Sequence, residues 1–227
     1  PMVPDELTEA AFYGREDVAA LLDEGKVPLG LDMETVEPVT WDLKKGNLLY
    51  LTDKEEQMTQ FVKQIAHSKQ KVIVLAPAYN ELPEMEGVTI LSTKEDYVAG
   101  IKKMEENIQL RLEQQKSQHE ATIVLYNQLE LMNDLGMDLQ SSLNYVLEKG
   151  ARAGYATVAM SGSQLNRKID EVSKSIKLYK QAIVAMRITD QSVLNVINRP
   201  VREEPLDSQV NYYVEDGFVR KVKVLMK

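Results

Sequence analysis

The sequence predicts an α/β fold, with a mainly parallel sheet, helices on both faces and a C-terminal β-hairpin. Short apolar runs alternate with amphipathic segments along the chain, which is typical of parallel strands buried on both faces. The stretch "QVNYYVEDGFVRKVKVLM" instead alternates about "EDG", which is typical of a hairpin. No linker rich in Pro, Gly or Ser divides the 227 residues. We therefore predict a single domain, residues 32–227, and an N-terminal arm, residues 1–31, that packs on its core.

The predicted elements follow in a regular order. The arm carries an amphipathic helix closed by Gly25, and two strand-like runs follow it, Val27–Leu31 and Pro38–Asp42. Apolar runs predict further strands at "NLLYL", "KVIVLAP", "GVTIL", "ATIVLYN", "YATVAMS" and "QAIVAMRI". Apolar residues at helical spacing predict helices at about Lys54–His67, Lys94–Gln118, Ser141–Ala151 and in "KIDEVSKSIKLY". The second of these becomes almost wholly polar, so we expect its C-terminal half to project into solvent.

Composition excludes several classes of function. The 35 acidic residues exceed the 27 basic ones, which argues against nucleic acid or an anionic membrane as the main partner. The chain has no cysteine, so disulfides, zinc–thiolate sites and thiol catalysis are excluded. It has no apolar run long enough to cross a bilayer, so we expect no membrane insertion by this segment. The start "PMVPDELTEAAFYG" has neither an initiator methionine nor a signal-like pattern, which predicts a fragment of a longer protein.

The first strand–loop–helix unit lies where a phosphate-binding loop would stand in such a sheet. That loop requires G-x-x-x-x-G-K-[ST], in which glycines let backbone N–H groups converge, lysine neutralises phosphate and the hydroxyl holds magnesium. Placed after "NLLYL", the pattern puts its glycines at Thr52 and Gln57, its lysine at Met58 and its hydroxyl at Thr59. Only Thr59 matches the pattern.

The other residues of this loop carry the wrong charge for a triphosphate. Asp53, Glu55 and Glu56 are acidic, and only Lys54 opposes them. Carboxylates at the start of a helix satisfy its free N–H groups and its dipole. We interpret the loop as an acidic helix cap and predict that it does not bind phosphate tightly.

The strand that would supply acids for magnesium and water has lost them as well. In "ATIVLYNQLELM", Tyr126 and Asn127 stand at the strand end, and Glu130 lies one helical turn further on. The loss of two independent catalytic elements argues against hydrolysis. We predict no catalytic residue and no ATP hydrolysis in this domain.

The remaining candidates for chemistry are isolated. His67 and His119 each lack a second histidine at ligand spacing, so we predict no metal and no cofactor. "SGS", Ser161 to Ser163, lacks the G-x-S-x-G frame of a nucleophile and is interpreted as a loop. Arg152 is interpreted as a surface residue rather than an arginine finger.

Five segments in order resemble the FtsK/SpoIIIE family of membrane ATPases, and within it the third, degenerate C-terminal ATPase domain of type VII secretion motors. The segments are "VPLGLDMETVEPVTWDLKKGNLLYL", "KVIVLAPAYNEL", "ATIVLYNQLELM", "EKGARAGYATVAMSGS" and "AIVAMRITDQSVLNVI", with the hairpin after them. They cover nearly all of the chain, and "GLDMETVEPV" is the most specific. Where the family often carries a Thr–Gln pair at its sensor strand, this chain has Ser161 and Gly162.

The resemblance implies a RecA-like P-loop NTPase fold at the cytoplasmic face of the bacterial cell membrane, in a membrane-anchored parent. It implies secreted helical substrate proteins and neighbouring ATPase domains of the same chain as partners. Related motors form hexamers, which implies a hexamer for the full motor, and we expect the isolated domain to be a monomer. Our hypothesis is a non-hydrolysing domain that acts in protein export through protein–protein contacts. The alternative is weak ATP and magnesium binding for a structural or regulatory purpose, through Thr59 and backbone donors. For a stand-alone enzyme we find no set of acid, base and nucleophile.

Overall fold

The apolar runs of the sequence form one mixed sheet, which a computed structural model describes over residues 2–226. The strands are β1 Val27–Asp32, β2 Pro38–Trp41, β3 Leu48–Leu51, β4 Val72–Leu75, β5 Val88–Leu91, β6 Ala121–Leu125, β7 Tyr155–Ser161, β8 Gln181–Val184, β9 Val210–Glu215 and β10 Phe218–Lys223. The helices are α1 Glu9–Tyr13, α2 Glu16–Asp23, α3 Glu55–His67, α4 Lys94–Glu113, α5 Gln128–Gly150 and α6 Glu171–Ile176. Within residues 2–226, no helix combines the length and apolar character that crossing a membrane requires.

The sheet has the order β2-β1-β10-β9-β8-β3-β7-β6-β4-β5. Its strands from β8 to β5 are parallel, whereas β9, β10, β1 and β2 pair antiparallel. β3 lies between β7 and β8, so the strand order divides to the two sides at its carboxyl end. In α/β proteins, ligands bind at such a point. The predicted α/β fold with its closing hairpin is confirmed, and the positive φ of Asp216 and Gly217 matches a tight hairpin turn.

The N-terminal residues pack on the antiparallel part of the sheet. Leu7, Phe12 and Val18 are buried in one cluster with Leu31 and Leu225. β1, at the end of the predicted arm, is itself a strand of the sheet and pairs with β2 and β10. The proposed boundary after residue 31 therefore lies inside a strand, and where the domain begins stays a prediction.

Two helices differ from those expected. α5 begins at Gln128, ahead of the expected Ser141, because a first helical segment joins the second across Gly136, whose φ is 76°. The glycine and the polar residues around it hide this segment from a pattern of apolar spacing. α4 ends at Glu113, and Ile108 in its C-terminal half is fully buried. The expectation that this half projects into solvent was wrong, because the helix packs against α5.

Asp32 ties the end of β1 to the following turn and to the hairpin. Its Oδ1 accepts from the backbone N–H of Glu34 at 2.8 Å and of Thr35 at 3.1 Å, and Arg220 Nη1 lies 3.4 Å from Oδ2. Burial raises the pKa of Asp32, but the bonds from Thr35 and Glu34 and the charge of Arg220 outweigh it and lower the pKa overall. The ionised carboxylate is therefore the form that the fold stabilises.

We expect Asp32→Asn to remove a pH-dependent part of the stability. A carboxyl whose pKa is lower in the folded state stabilises fully above the unfolded pKa of about 3.9, and this stabilisation is lost as pH falls through the folded value. The difference in unfolding free energy between wild type and variant should be constant above about pH 5 and shrink below about pH 4. Urea unfolding from neutral to acidic pH measures it, with the exposed Asp23→Asn as control. A difference that does not change with pH would contradict the assignment.

Candidate nucleotide site

The connection from β3 to α3 is too short for a phosphate cradle. β3 ends at Leu51 and α3 begins at Glu55, so only three residues, Thr52 to Lys54, lie between them. Glu55 and Glu56, which the phosphate-loop pattern would place in the cradle, form the first turn of the helix instead. A glycine-rich loop that wraps its backbone N–H groups around a phosphate is therefore replaced here by a short connection and the start of the helix.

Polar groups of the connection are satisfied by the chain itself. The Thr52 N–H donates to the Ser161 carbonyl at 2.9 Å, and the Lys54 N–H donates to Thr52 Oγ1 at 3.1 Å. The Thr52 hydroxyl in turn donates to the side chain of Gln57, whose own N–H donates to the Lys54 carbonyl. The position of the second glycine thus carries a side chain that closes the loop.

Asp53 joins this connection to the end of β7. Its Oδ1 accepts from the Ser163 N–H and its Oδ2 from the Ser163 hydroxyl, each at 2.8 Å. Gly162 permits the approach, because a Cβ there would lie 2.7 Å from Asp53 Oδ1. The acidic side chain that opposes phosphate therefore braces the ends of the neighbouring strands β3 and β7.

We expect Asp53→Ala to lower the unfolding free energy by about 1–2 kcal/mol, because two hydrogen bonds to a carboxylate are lost at an exposed position. The exposed Asp138→Ala changes the charge equally and should stay within about 0.5 kcal/mol of wild type. Chemical denaturation of the three proteins measures both values. Equal effects of the two substitutions would show that the brace contributes nothing.

Tyr126 occupies the position of the missing acid and engages the one residue that matches the phosphate-loop pattern. Its hydroxyl lies 2.9 Å from Thr59 Oγ1 and donates to Glu55 Oε1 at 3.2 Å. Burial raises the pKa of Tyr126 to about 12, with Glu55 adding to the rise, so the hydroxyl keeps its proton. It donates to Glu55 and accepts from Thr59. The Thr59 hydroxyl that would hold magnesium is thereby committed to protein partners.

Met58, at the lysine position, points into the core. It is 5% exposed and packs in the same buried cluster as Phe61. The residue at the lysine position therefore lies on the buried face of α3 and not on a face that could meet a phosphate. Among residues 2–226, no group of three or more His, Asp or Glu side chains is placed to hold a metal ion.

Ser161, at the sensor position, belongs to a buried chain of hydrogen-bonded side chains. The Ser161 hydroxyl donates to Gln128 Oε1 at 2.8 Å, and Gln128 Nε2 donates to Ser173 Oγ at 2.9 Å. Asn127 directly precedes α5 and has the left-handed conformation, with φ 48°. We did not single out Gln128 or Ser173 from the sequence. The only signal was that Gln128 directly follows the strand-end pair Tyr126–Asn127.

The predicted site residues thus meet at one edge of the sheet, and the other candidates lie apart. His67 stacks on Tyr13 with ring centroids 3.7 Å apart, at the far end of α3. His119 lies 3.4 Å from Thr122 Oγ1. Arg152 precedes β7 and so lies at the amino-terminal edge of the sheet, opposite the site. None of the three contributes to this edge.

Comparison with known proteins identifies relatives over nearly the whole chain. The chain is 25% identical over 235 aligned residues to the type VII secretion system protein EssC of Staphylococcus aureus (strain MRSA252). This match covers 99% of the chain but only 16% of that relative, so the chain spans a small part of its length. No protein-family model matches the chain.

Solved structures show the same fold. EssC (ATPases 2 and 3) from Geobacillus thermodenitrificans superposes with a TM-score of 0.88 at 19% identity, over 99% of this chain and 45% of that one. Thermomonospora curvata EccC (ATPases 2 and 3), in complex with a signal sequence peptide, gives 0.71 at 12% identity, over 100% of this chain and 44% of that one. The RecA-like P-loop fold expected from the sequence is confirmed. The chain is similar in sequence to the type VII secretion system protein EssC and has the fold found in the region of EssC that carries ATPases 2 and 3.

Proposed function

We propose that this domain does not hydrolyse ATP and that it serves a type VII secretion motor through protein–protein contacts. The observation that carries the first half is the contact of Tyr126 with Thr59 and Glu55, which fills the magnesium position with a neutral, protonated hydroxyl. The lysine, the acids and the cradle that would neutralise a triphosphate and position water are missing from their places in this segment of the sequence.

The second half rests on the relatives. EssC is a type VII secretion protein, and its solved structure carries ATPases 2 and 3 in one chain, so we propose a neighbouring ATPase domain as a partner in the same chain. EccC has been solved with a signal sequence peptide, so we propose secreted proteins as further partners. We place the domain at the cytoplasmic face of the membrane in an anchored parent. The net charge of −8 favours such protein partners over nucleic acid. Hexamer formation by the full motor stays an expectation.

Calorimetric titration with Mg-ATP tests the inactivity. We expect no saturable heat at millimolar nucleotide and no phosphate release above that of buffer. The runner-up function is weak ATP binding for a structural or regulatory purpose, and it needs Thr59 to leave Tyr126. Saturable binding that is lost in Thr59→Ala but kept in the exposed Thr89→Ala would overturn the proposal in favour of this runner-up.

Site-specific crosslinking tests the role in recognition. A photoreactive residue is placed in turn at exposed positions on each face of the domain, in cells that co-express a secreted substrate of the same system. We expect adducts confined to one face, and loss of those adducts when the signal sequence of the substrate is deleted. Absence of adducts on every face would overturn the recognition role and leave a scaffolding one.

A further inference from the structure

The charges of this domain are divided between the two edges of its parallel strands. At the amino-terminal edge, where these strands begin, exposed basic residues precede β3, β4, β6, β7 and β8: Lys44, Lys45, Lys71, Lys116, Arg152 and Lys180. At the carboxyl-terminal edge, exposed acidic residues follow β3 to β7 and include Asp53, Glu55, Glu81, Glu95, Glu130 and Glu171. The amino-terminal edge also carries exposed acidic residues, which include Glu86, Glu113, Glu148 and Asp216.

This division follows from the fold, and it keeps the two charges apart. Helices that connect parallel strands begin at the carboxyl-terminal edge and end at the other, and their dipoles favour acidic residues at the start and basic ones at the end. β7 has seven residues, so at about 3.3 Å per residue it separates the edges by about 20 Å. The Debye length at physiological ionic strength is about 8 Å, so a partner at the amino-terminal edge is largely screened from the acidic edge.

Large apolar side chains protrude at the same amino-terminal edge. They are 78%, 68% and 58% exposed in Leu178, Ile197 and Phe218. The Asp216 N–H donates to the Lys180 carbonyl at 3.0 Å, which places the hairpin turn beside the start of β8. The Ile197 N–H donates to the Gly217 carbonyl at 2.7 Å, which holds Ile197 against that turn. Three separate segments thus bring exposed apolar side chains to one end of the basic edge.

The shape of this edge favours a broad partner. The basic residues stand at the starts of the adjacent strands β8, β3, β7, β6 and β4, which at about 4.8 Å per strand gives a row of about 20 Å. Lys45 Nζ lies 3.7 Å from Glu215 Oε1 at the end of β9, so the row reaches the hairpin. Apolar side chains that protrude singly beside basic ones suit the interface of an anionic bilayer, whereas an acidic helix would require a groove.

We propose that the amino-terminal edge contacts the surface of a bilayer that contains anionic lipids. The basic residues meet the lipid headgroups, and Leu178, Ile197 and Phe218 enter the headgroup region without any segment crossing the membrane. The exclusion drawn from composition sums the charges of both edges and so does not describe this one. The proposal goes beyond the function proposed above and does not depend on it, because the contact needs neither nucleotide nor a secreted protein.

Vesicle co-sedimentation of the full 227-residue chain tests this contact. We expect binding to vesicles of equal parts phosphatidylcholine and phosphatidylglycerol, and no binding to phosphatidylcholine alone. Raising the salt from about 0.1 M to about 0.5 M should weaken binding at least tenfold, because the Debye length falls from about 10 Å to roughly 4 Å. Equal binding to both kinds of vesicle would overturn the proposal. No binding to the anionic vesicles would also overturn it, in favour of an acidic protein as the occupant of this edge.

Two triple variants with the same net charge locate the contact. The first removes three basic residues from the amino-terminal edge: Lys44→Gln, Lys45→Gln and Lys180→Gln. The second removes three exposed basic residues near the carboxyl-terminal edge: Lys54→Gln, Arg167→Gln and Lys168→Gln. We expect the first to bind anionic vesicles at least about tenfold more weakly than wild type and the second to stay within about twofold. Equal losses would show that net charge and not this edge governs binding, and would overturn the proposal.

The apolar part of the contact has its own matched pair. Phe218→Ser removes a protruding ring from the amino-terminal edge, and we expect about threefold weaker binding or more. Tyr79→Ser removes a ring that is equally exposed, at 57%, from the other edge and should leave binding unchanged. Both side chains are exposed, so neither substitution opens the core. Equal affinity of the Phe218→Ser chain and wild type would contradict the entry of this side chain into the headgroup region.

Discussion

Tyr126→Ala is expected to lower the free energy of unfolding by about 3–5 kcal/mol, the range for truncation of a buried aromatic side chain. Tyr126 is 1% exposed and packs in a core cluster with residues of α3 and the sheet. Tyr126→Phe should cost only about 1 kcal/mol, because it keeps the ring and removes one hydroxyl whose partners, Thr59 and Glu55, lie near solvent. Urea unfolding of the two variants and wild type measures the contrast.

The control for Tyr126 is Tyr79, an aromatic residue at the same edge that is 57% exposed. Tyr79→Ala should change stability by less than about 0.5 kcal/mol. In a phosphate-release assay, neither Tyr126 variant nor Tyr126→Asp should gain ATPase activity, because Met58 still stands at the lysine position. A small effect of Tyr126→Ala, close to that of Tyr79→Ala, would contradict the view that this side chain is part of the core.

Gln128→Leu is expected to lower the free energy of unfolding by about 2–4 kcal/mol. The substitution preserves volume but leaves the hydroxyls of Ser161 and Ser173 buried without their partner, and each such loss costs about 1–3 kcal/mol. All three residues are fully buried, so water cannot replace the lost hydrogen bonds. Chemical denaturation checks the value, and the exposed Gln114→Leu should be nearly neutral.

The cost of Gln128→Leu should be largely recovered when both hydroxyls are removed as well. Replacing both partners of a buried hydrogen bond by apolar groups is close to neutral, whereas removing one partner is not. The triple variant Gln128→Leu, Ser161→Ala, Ser173→Ala should therefore be more stable than Gln128→Leu alone. If it is less stable, the side chains contribute by packing and not through their hydrogen bonds.

Much of the fold was predictable because each buried parallel strand is a continuous apolar run in the sequence. Six continuous apolar runs correspond to β3 to β8, and "EDG" marks the hairpin of β9 and β10. The first half of α5 was missed because Gly136 and its polar neighbours interrupt the helical spacing. The strand order was also hidden, since β1 pairs with β10, a strand almost at the other end of the chain.

The candidate site, like the fold, was predictable only in part. Loss of the lysine and the strand acids can be read directly, because the residues at Met58 and Tyr126 have the wrong chemistry wherever they point. The contacts that these side chains make could not be predicted, because their partners are far apart in sequence. Asp53 and Ser163 are 110 residues apart, and Tyr126 and Thr59 are 67 apart.

The amino-acid order alone predicts the alternation of strands and helices, the acidic charge and the absence of a phosphate-binding pattern after β3, because each depends on residue type and local spacing. Only the tertiary structure shows that three residues separate β3 from α3 and that the Tyr126 hydroxyl contacts Thr59. These features depend on which distant segments the sheet brings together. Non-local packing therefore decided which contacts the side chains at this edge of the sheet make.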